Sequence, residues 1–379
     1  MEAGTGRARS ALVWVSVATV LVAVVGVVYL RPNLAVRPAA VATARPLPPD
    51  AHRLANFSFG DARHGEVTMA RFASQATFVT SDGGRTWTPA GPMTYLSARL
   101  VIRWAVGPAG TDGISDDGGT TWRHLSQPDP AVPPLTEPVF ADAAHGWWLA
   151  QPFAAERGIT SLWRTGDSGA TWQRLPGTGI PAGDQPVEWA FLDPVHGVLE
   201  VRAGLGAPAL LLTDDGGVTW QPSLPLTSPD PGAVPARLRI LVRDRTLLAW
   251  FVTLPAGGDP MTAVPRPYVL ASGDAGRTWG PPFPGPSLQS SDAVSPVVDG
   301  EGRLLLLDGR RLWVSPDGGT TWTARAIQAP AGLLPIGPLV AGAALLAPAA
   351  TTPTGAFPVY DALLRSTDGG VHWERVPLP

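Results

Sequence analysis

Seven aspartates of this 379-residue chain occupy the same place in a recurring phrase, Ser/Thr-x-Asp-x-Gly-x-Thr-Trp. They are Asp82, Asp117, Asp167, Asp215, Asp274, Asp317 and Asp368. Paired carboxylates are the working groups of glycoside hydrolysis, one as acid and one as base or nucleophile, so aspartates in number raise that chemistry first. Three histidines, His64, His145 and His196, recur in a second phrase, Phe-x-Asp-x-x-His-Gly, and raise a metal site. Arg237, Arg239, Arg243 and Arg245 form a basic cluster that raises a partner patch. Repetition argues against the first two readings. A residue that comes once per repeat, at one turn position, points away from its copies, so neither the carboxylates nor the imidazoles should converge. The Asp-Asp-Gly-Gly segments at Asp116 and Asp214 lack the rest of a calcium-loop ligand pattern. The alternating arginines read first as the solvated face of a strand. No cofactor, metal ligand set or catalytic residue is therefore expected.

The phrase has the chemistry of a tight turn between two strands. Its glycines, Gly84, Gly119, Gly169, Gly217, Gly276, Gly319 and Gly370, allow positive φ. The aspartate accepts from backbone amides of its own turn, helped by the Ser or Thr two residues earlier. The tryptophan, at Trp87, Trp122, Trp172, Trp220, Trp279, Trp322 and Trp373, opens the next strand and should fill the space between neighbouring sheets. Only His372 breaks the Thr position.

Successive aspartates lie 35, 50, 48, 59, 43 and 51 residues apart, near the length of a four-stranded propeller blade. The second phrase precedes three of them by 21, 25 and 22 residues, which leaves room for a strand ending at the Phe, a turn, and two more strands. The expected fold is all-β: a seven-bladed β-propeller over residues 54–379 with four-stranded blades, the first spanning 54–88 and the last 335–377. Gly 43 and Pro 42 supply frequent turns, and stretches such as RLLLLDGRRLWVS read as short strands. With no cysteine, disulfides and thiolate sites are excluded.

Ahead of the propeller, residues 11–30 are an uncharged apolar run of a length to cross a bilayer, with Trp14 and Tyr29 near its ends and Arg7 and Arg9 before it. The reading is a short cytoplasmic tail (1–10), one transmembrane signal anchor (11–30) and a stiff Pro/Ala-rich stalk (31–53). An Ala-x-Ala sequence at 42–44 lies far past the run for signal cleavage. This places the propeller outside the cytoplasm, held at the cell membrane. Six of the 28 arginines and two of the 31 acidic residues precede residue 54, leaving 22 against 29. An acidic propeller argues against nucleic acid as partner.

The first phrase resembles the Asp box, or BNR repeat, of bacterial sialidases, other glycoside hydrolases and sortilin-type receptors. With Phe-x-Asp-x-x-His-Gly beside it, residues 54–379 resemble still more the propellers of the photosystem II stability and assembly factor group. That resemblance implies a binding role at a membrane; the sialidase one would imply an arginine triad, a Tyr nucleophile with its Glu, and an acid Asp. The sialidase aromatic-Arg-Ile-Pro motif is missing, its nearest likeness, Tyr29-Leu30-Arg31-Pro32, closing the apolar run.

In a four-stranded blade the first and third turns share one face, so both phrases lie together. The irregular segments from Pro152, Val201, Thr253 and Ala347 go to the other face, where binding is expected on a rigid scaffold. Arg157, Arg202, Arg266, Tyr268 and Tyr360 are the candidate contacts. The functional expectation is a non-catalytic protein-binding or assembly module whose partner is a membrane or cell-envelope protein. The alternative is a carbohydrate-active enzyme or glycan-binding ectodomain.

Overall fold

The computed structural model describes residues 53–379 apart from 72–73, 97–98, 105–111, 129–137, 151–160, 204–206, 224–226, 244, 257–263, 289–294, 309–310, 336–338, 342–343, 351–359 and 361. Arg53–Met69 and Ala76–Pro379 form one compact unit. The expected anchor, the stalk up to residue 52, and Arg157 lie outside the described residues, while Arg53, the expected end of the stalk, opens the first strand, Arg53–Phe59. Among those residues no helix is long and apolar enough to cross a membrane.

Seven antiparallel sheets follow one another along the chain, each running outward in sequence order, so the molecule is a seven-bladed β-propeller. Blade 4 is representative, with strands Asp184–Phe191, Gly197–Ala203, Pro208–Thr213 and Gln221–Pro222. Six blades have four strands. In blade 7 the innermost strand is in two pieces, Leu334–Pro335 and Leu339–Ala341, both paired with Ala344–Ala350. The uneven repeat spacing is absorbed by strand length. Blade 2 uses three-residue strands such as Val101–Arg103, whereas blade 5 opens with Ala233–Arg243 and Thr246–Pro255.

The innermost strands of adjacent blades touch, from blade 3 through blade 7 and on to blades 1 and 2, which sets them about a common axis. A blade inside such a ring has neighbours on both faces, so its middle strands are apolar throughout rather than alternating. Leu304–Asp308 and Ala344–Ala350 are buried at every residue. The core is correspondingly divided among the seams. Separate apolar clusters fill blades 2 and 3, 3 and 4, 4 and 5, 5 and 6, 6 and 7, and 7 and 1. In the last, Leu54, Phe59 and Val67 pack on Leu346, Leu363 and Val376, so the ring closes by side-chain packing between complete blades.

Candidate functional site

The two repeated phrases meet at one end of every blade that carries both. In blade 4, Gly197 pairs with Phe191 on one side and Thr213 on the other, the residues that precede the two turns. The turns are tied by Gly216 N–H donating to the Val195 carbonyl at 2.9 Å; Gly83 to Arg63 and Ser168 to Ala144 do the same in blades 1 and 3. The glycine closing the second phrase has a steric cause. A Cβ on Gly65, Gly146 or Gly197 would stand 2.2, 2.6 or 2.5 Å from the ring of Phe59, Phe140 or Phe191. The phrase's histidines serve the turn too, with Nδ1 of His64, His145 and His196 2.9, 2.9 and 2.8 Å from Asp61, Asp142 and Asp193. Among the described residues no three His, Cys, Asp or Glu are grouped to hold a metal.

The Asp-box carboxylates are occupied by their own turns. In blade 4, Asp215 Oδ1 accepts from the Thr213 hydroxyl at 2.8 Å and from Thr219 N–H at 2.9 Å, while Oδ2 accepts from the Thr219 hydroxyl at 2.6 Å. Thr213 Oγ1 in turn accepts from Gly217 N–H at 2.8 Å. Both oxygens of Asp82, Asp117, Asp167, Asp274 and Asp317 are engaged in the same way. In the last blade His372 Nδ1 takes the place of the Thr hydroxyl against Asp368 Oδ2. The hydroxyl of Thr278, with its backbone amide, holds Asp274 down to about 2. Thr86 and Thr121 hold Asp82 and Asp117 far below the usual carboxylate range, and the His372 amide and ring do so for Asp368. A carboxylate kept ionised and saturated in this way orders a loop and is poorly suited to proton transfer.

Thr213 is buried and links the chain of bonds, so Thr213→Val leaves the Gly217 amide without its acceptor at nearly constant shape. A loss of about 1–3 kcal/mol is expected, read as a lowered thermal midpoint against wild type.

Two features of the turn escape the repeat phrase. The residue before each repeated glycine is also left-handed, including Ser168 and Ala275, both with φ 62°. The alternation of Gly, Ser and Ala at that position is the signal that marks it. The tryptophans, besides filling seams, reach across them. Trp87 Nε1 donates to the Pro377 carbonyl at 2.6 Å, Trp172 to that of Ser126 at 2.8 Å, and Trp279 to Ser223 Oγ at 2.9 Å. Trp322 and Trp373 instead bond Gly319 and Gly370 of their own turns, and Trp122 lies under the Arg103 guanidinium. Trp220 is buried within the cluster of blades 3 and 4.

On the opposite face, three of the candidate contacts belong to the seam of blades 4 and 5 or its rim. Arg266 is 74% exposed at its side chain and bonds Asp230 Oδ1 at 3.2 Å. Asp230 also accepts from the Thr253 hydroxyl at 3.1 Å, and a bond from Tyr268 helps to hold its carboxyl low. Tyr268 itself is 8% exposed, stacked on Phe251 with ring centroids 5.5 Å apart. Arg202 reaches inward, its Nε 2.6 Å from Glu200 Oε1 and its Nη1 3.0 Å from the Ala236 carbonyl. Tyr360 lies elsewhere, half-buried at the seam of blades 7 and 1, where it bridges Leu54. The arginine cluster disperses. Arg239 turns to Glu188, Arg243 donates to the Pro316 carbonyl at 3.1 Å, and Arg237 and Arg245 are exposed.

Fold and turns together define an Asp-box β-propeller. No family model and no curated protein matches the chain. Among solved structures it is similar to YCF48 bound to D1 peptide, at 17% identity over 84% of this chain and 92% of that one, with a TM-score of 0.47. It is similar also to the GH74 xyloglucanase from Xanthomonas campestris, at 16% identity over 85% of this chain with a TM-score of 0.43, and spans 60% of that enzyme. A third is the polysaccharide lyase PL25 ulvan lyase, at 11% identity over 86% of this chain and 84% of that one, with a TM-score of 0.40. Likenesses this distant carry nothing about activity, and the fold assignment rests on the chain's own seven sheets.

Proposed function

We propose that this chain is a membrane-anchored, extracytoplasmic propeller that binds a protein of the membrane or cell envelope through its loop face and performs no chemistry itself. The observation that carries the reading is the division of labour between the faces. Both oxygens of the seven Asp-box carboxylates are committed to their own turns, so that face is given over to holding the ring. The irregular segments leave from the other end of the sheets, where Arg266 is presented by Asp230. Loops carried on a scaffold of packed blades suit recognition. The anchoring part of the proposal rests on the apolar run 11–30 and the stalk 31–53 in the sequence.

The test is capture from host membranes with the tagged full-length chain and its Arg266→Glu variant. A protein retained by wild type and lost from the variant is the expected result. Equal recovery from both, or no protein from either, would turn attention to the glycan-active reading and to binding and hydrolysis screens on polysaccharides.

A further inference from the structure

Four charged side chains meet beside the axis, at the seam of blades 4 and 5. Glu188, on the innermost strand of blade 4, stands directly opposite Glu200 on the next strand. Residues so paired lie on one sheet face with Cβ atoms about 5 Å apart, and like charges there repel. Glu200 is wholly buried, and the Glu188 side chain is 24% exposed. Each carboxylate gives one oxygen to an arginine. Arg202 Nε lies 2.6 Å from Glu200 Oε1, and Arg239 Nη1, from blade 5, lies 3.4 Å from Glu188 Oε1. The second oxygens, Glu188 Oε2 and Glu200 Oε2, are buried and have no hydrogen-bond partner among the described residues.

The arginines' remaining bonds are directed elsewhere, Arg202 Nη1 to the Ala236 carbonyl and Arg239 Nε to Ser295 Oγ. Among the described residues the other packed elements offer no further charge. Leu210 faces Glu200 from the third strand of blade 4, and blade 5 lines this seam with Leu238, Ile240, Phe251, Tyr268 and Leu270. One proton answers both deficits. It removes the repulsion, and it makes one carboxyl a donor to an oxygen of the other, the arrangement by which two close carboxyls share a proton.

We propose that Glu188 and Glu200 form a proton-binding site, which takes one proton from solvent through the partly exposed Glu188 in mild acid and makes the blade 4–blade 5 seam more stable when it is filled. Burial pushes both carboxyls up, against the pull of Arg239 and Arg202. A raised carboxyl adds stability that is fully present below its ordinary value of 4.5 and is lost as pH rises through the raised value. The Asp-box carboxylates have the opposite sign. Their contribution is present above 3.8 and is lost only as pH falls through their lowered values, so they do not titrate in the same window.

The inference stands apart from the binding role, and its test reads protons rather than partners. Infrared difference titration of the full-length protein in detergent should show a protonated-carboxyl band with its midpoint above pH 4.5. That band should be lost in Glu188→Gln and in Glu200→Gln, with the Glu188 variant deciding the matter if the fully buried position does not tolerate change. A band persisting in the Gln variants, or carboxyls that all titrate at or below 4.5, overturns the proposal.

Discussion

Trp147→Ala is expected to destabilise the propeller by about 3–5 kcal/mol, the range for truncating a buried aromatic to alanine. Trp147 belongs to blade 3, is 1% exposed and packs in the seam with blade 4. Its ring stacks on Phe191 with centroids 3.5 Å apart and planes 3° from parallel, and its Nε1 donates to the Gly216 carbonyl at 2.9 Å. Truncation therefore opens a cavity in a seam and strips the acceptor of its donor. Because the core is divided among seams, little slack exists elsewhere to close the gap. Denaturant unfolding should show a markedly lower midpoint. A shift worth less than about 1 kcal/mol would mean that the seam can collapse around the missing ring, contrary to the close packing expected of such a core.

The second large effect separates two copies of one motif position. Gly84 and Gly119 have φ of 83° and 89°, so alanine at either suffers the left-handed penalty of about 1–2 kcal/mol. Their surroundings differ. A Cβ on Gly84 would stand 2.4 Å from Val376 Cγ1, across the seam that closes the ring, whereas on Gly119 its nearest neighbour is Trp122 Cζ2 of the same turn at 3.3 Å. Overpacking adds about 1–3 kcal/mol to Gly84→Ala, so its thermal midpoint should fall well below that of Gly119→Ala. Equal losses would show that backbone strain alone accounts for the repeated glycine.

The architecture was legible because the repeated residues are chemically distinctive. An Asp that must cap a turn, a Gly that must be left-handed and a Trp that must fill a seam leave few substitutes, and seven spaced copies count the blades. What the Trp indole nitrogen bonds was not legible. Pro377 and Ser126 are acceptors brought close only by blade order. Nor was the glutamate pair, for a β-bulge intervenes. The register shifts between Pro186 and Glu188, so alternation counted from the start of that strand at Asp184 misassigns the face of Glu188. Arg239 read as one member of a solvated row because its reach to Glu188 belongs to blade order and leaves no local pattern. Tyr268 carries no local mark of burial either, since its 8% exposure follows from stacking on Phe251 of the paired strand. Residues 11–52, which carry the localisation argument, lie outside the described part of the chain.

The division between a turn-holding face and a binding face is tested most directly by photo-crosslinking in the native membrane. A photoreactive residue would be placed at Arg266 on the loop face in one full-length protein and at Arg85, exposed on the Asp-box face, in another. A discrete protein adduct is expected from position 266 and none from position 85. An adduct formed from position 85 alone would contradict that division.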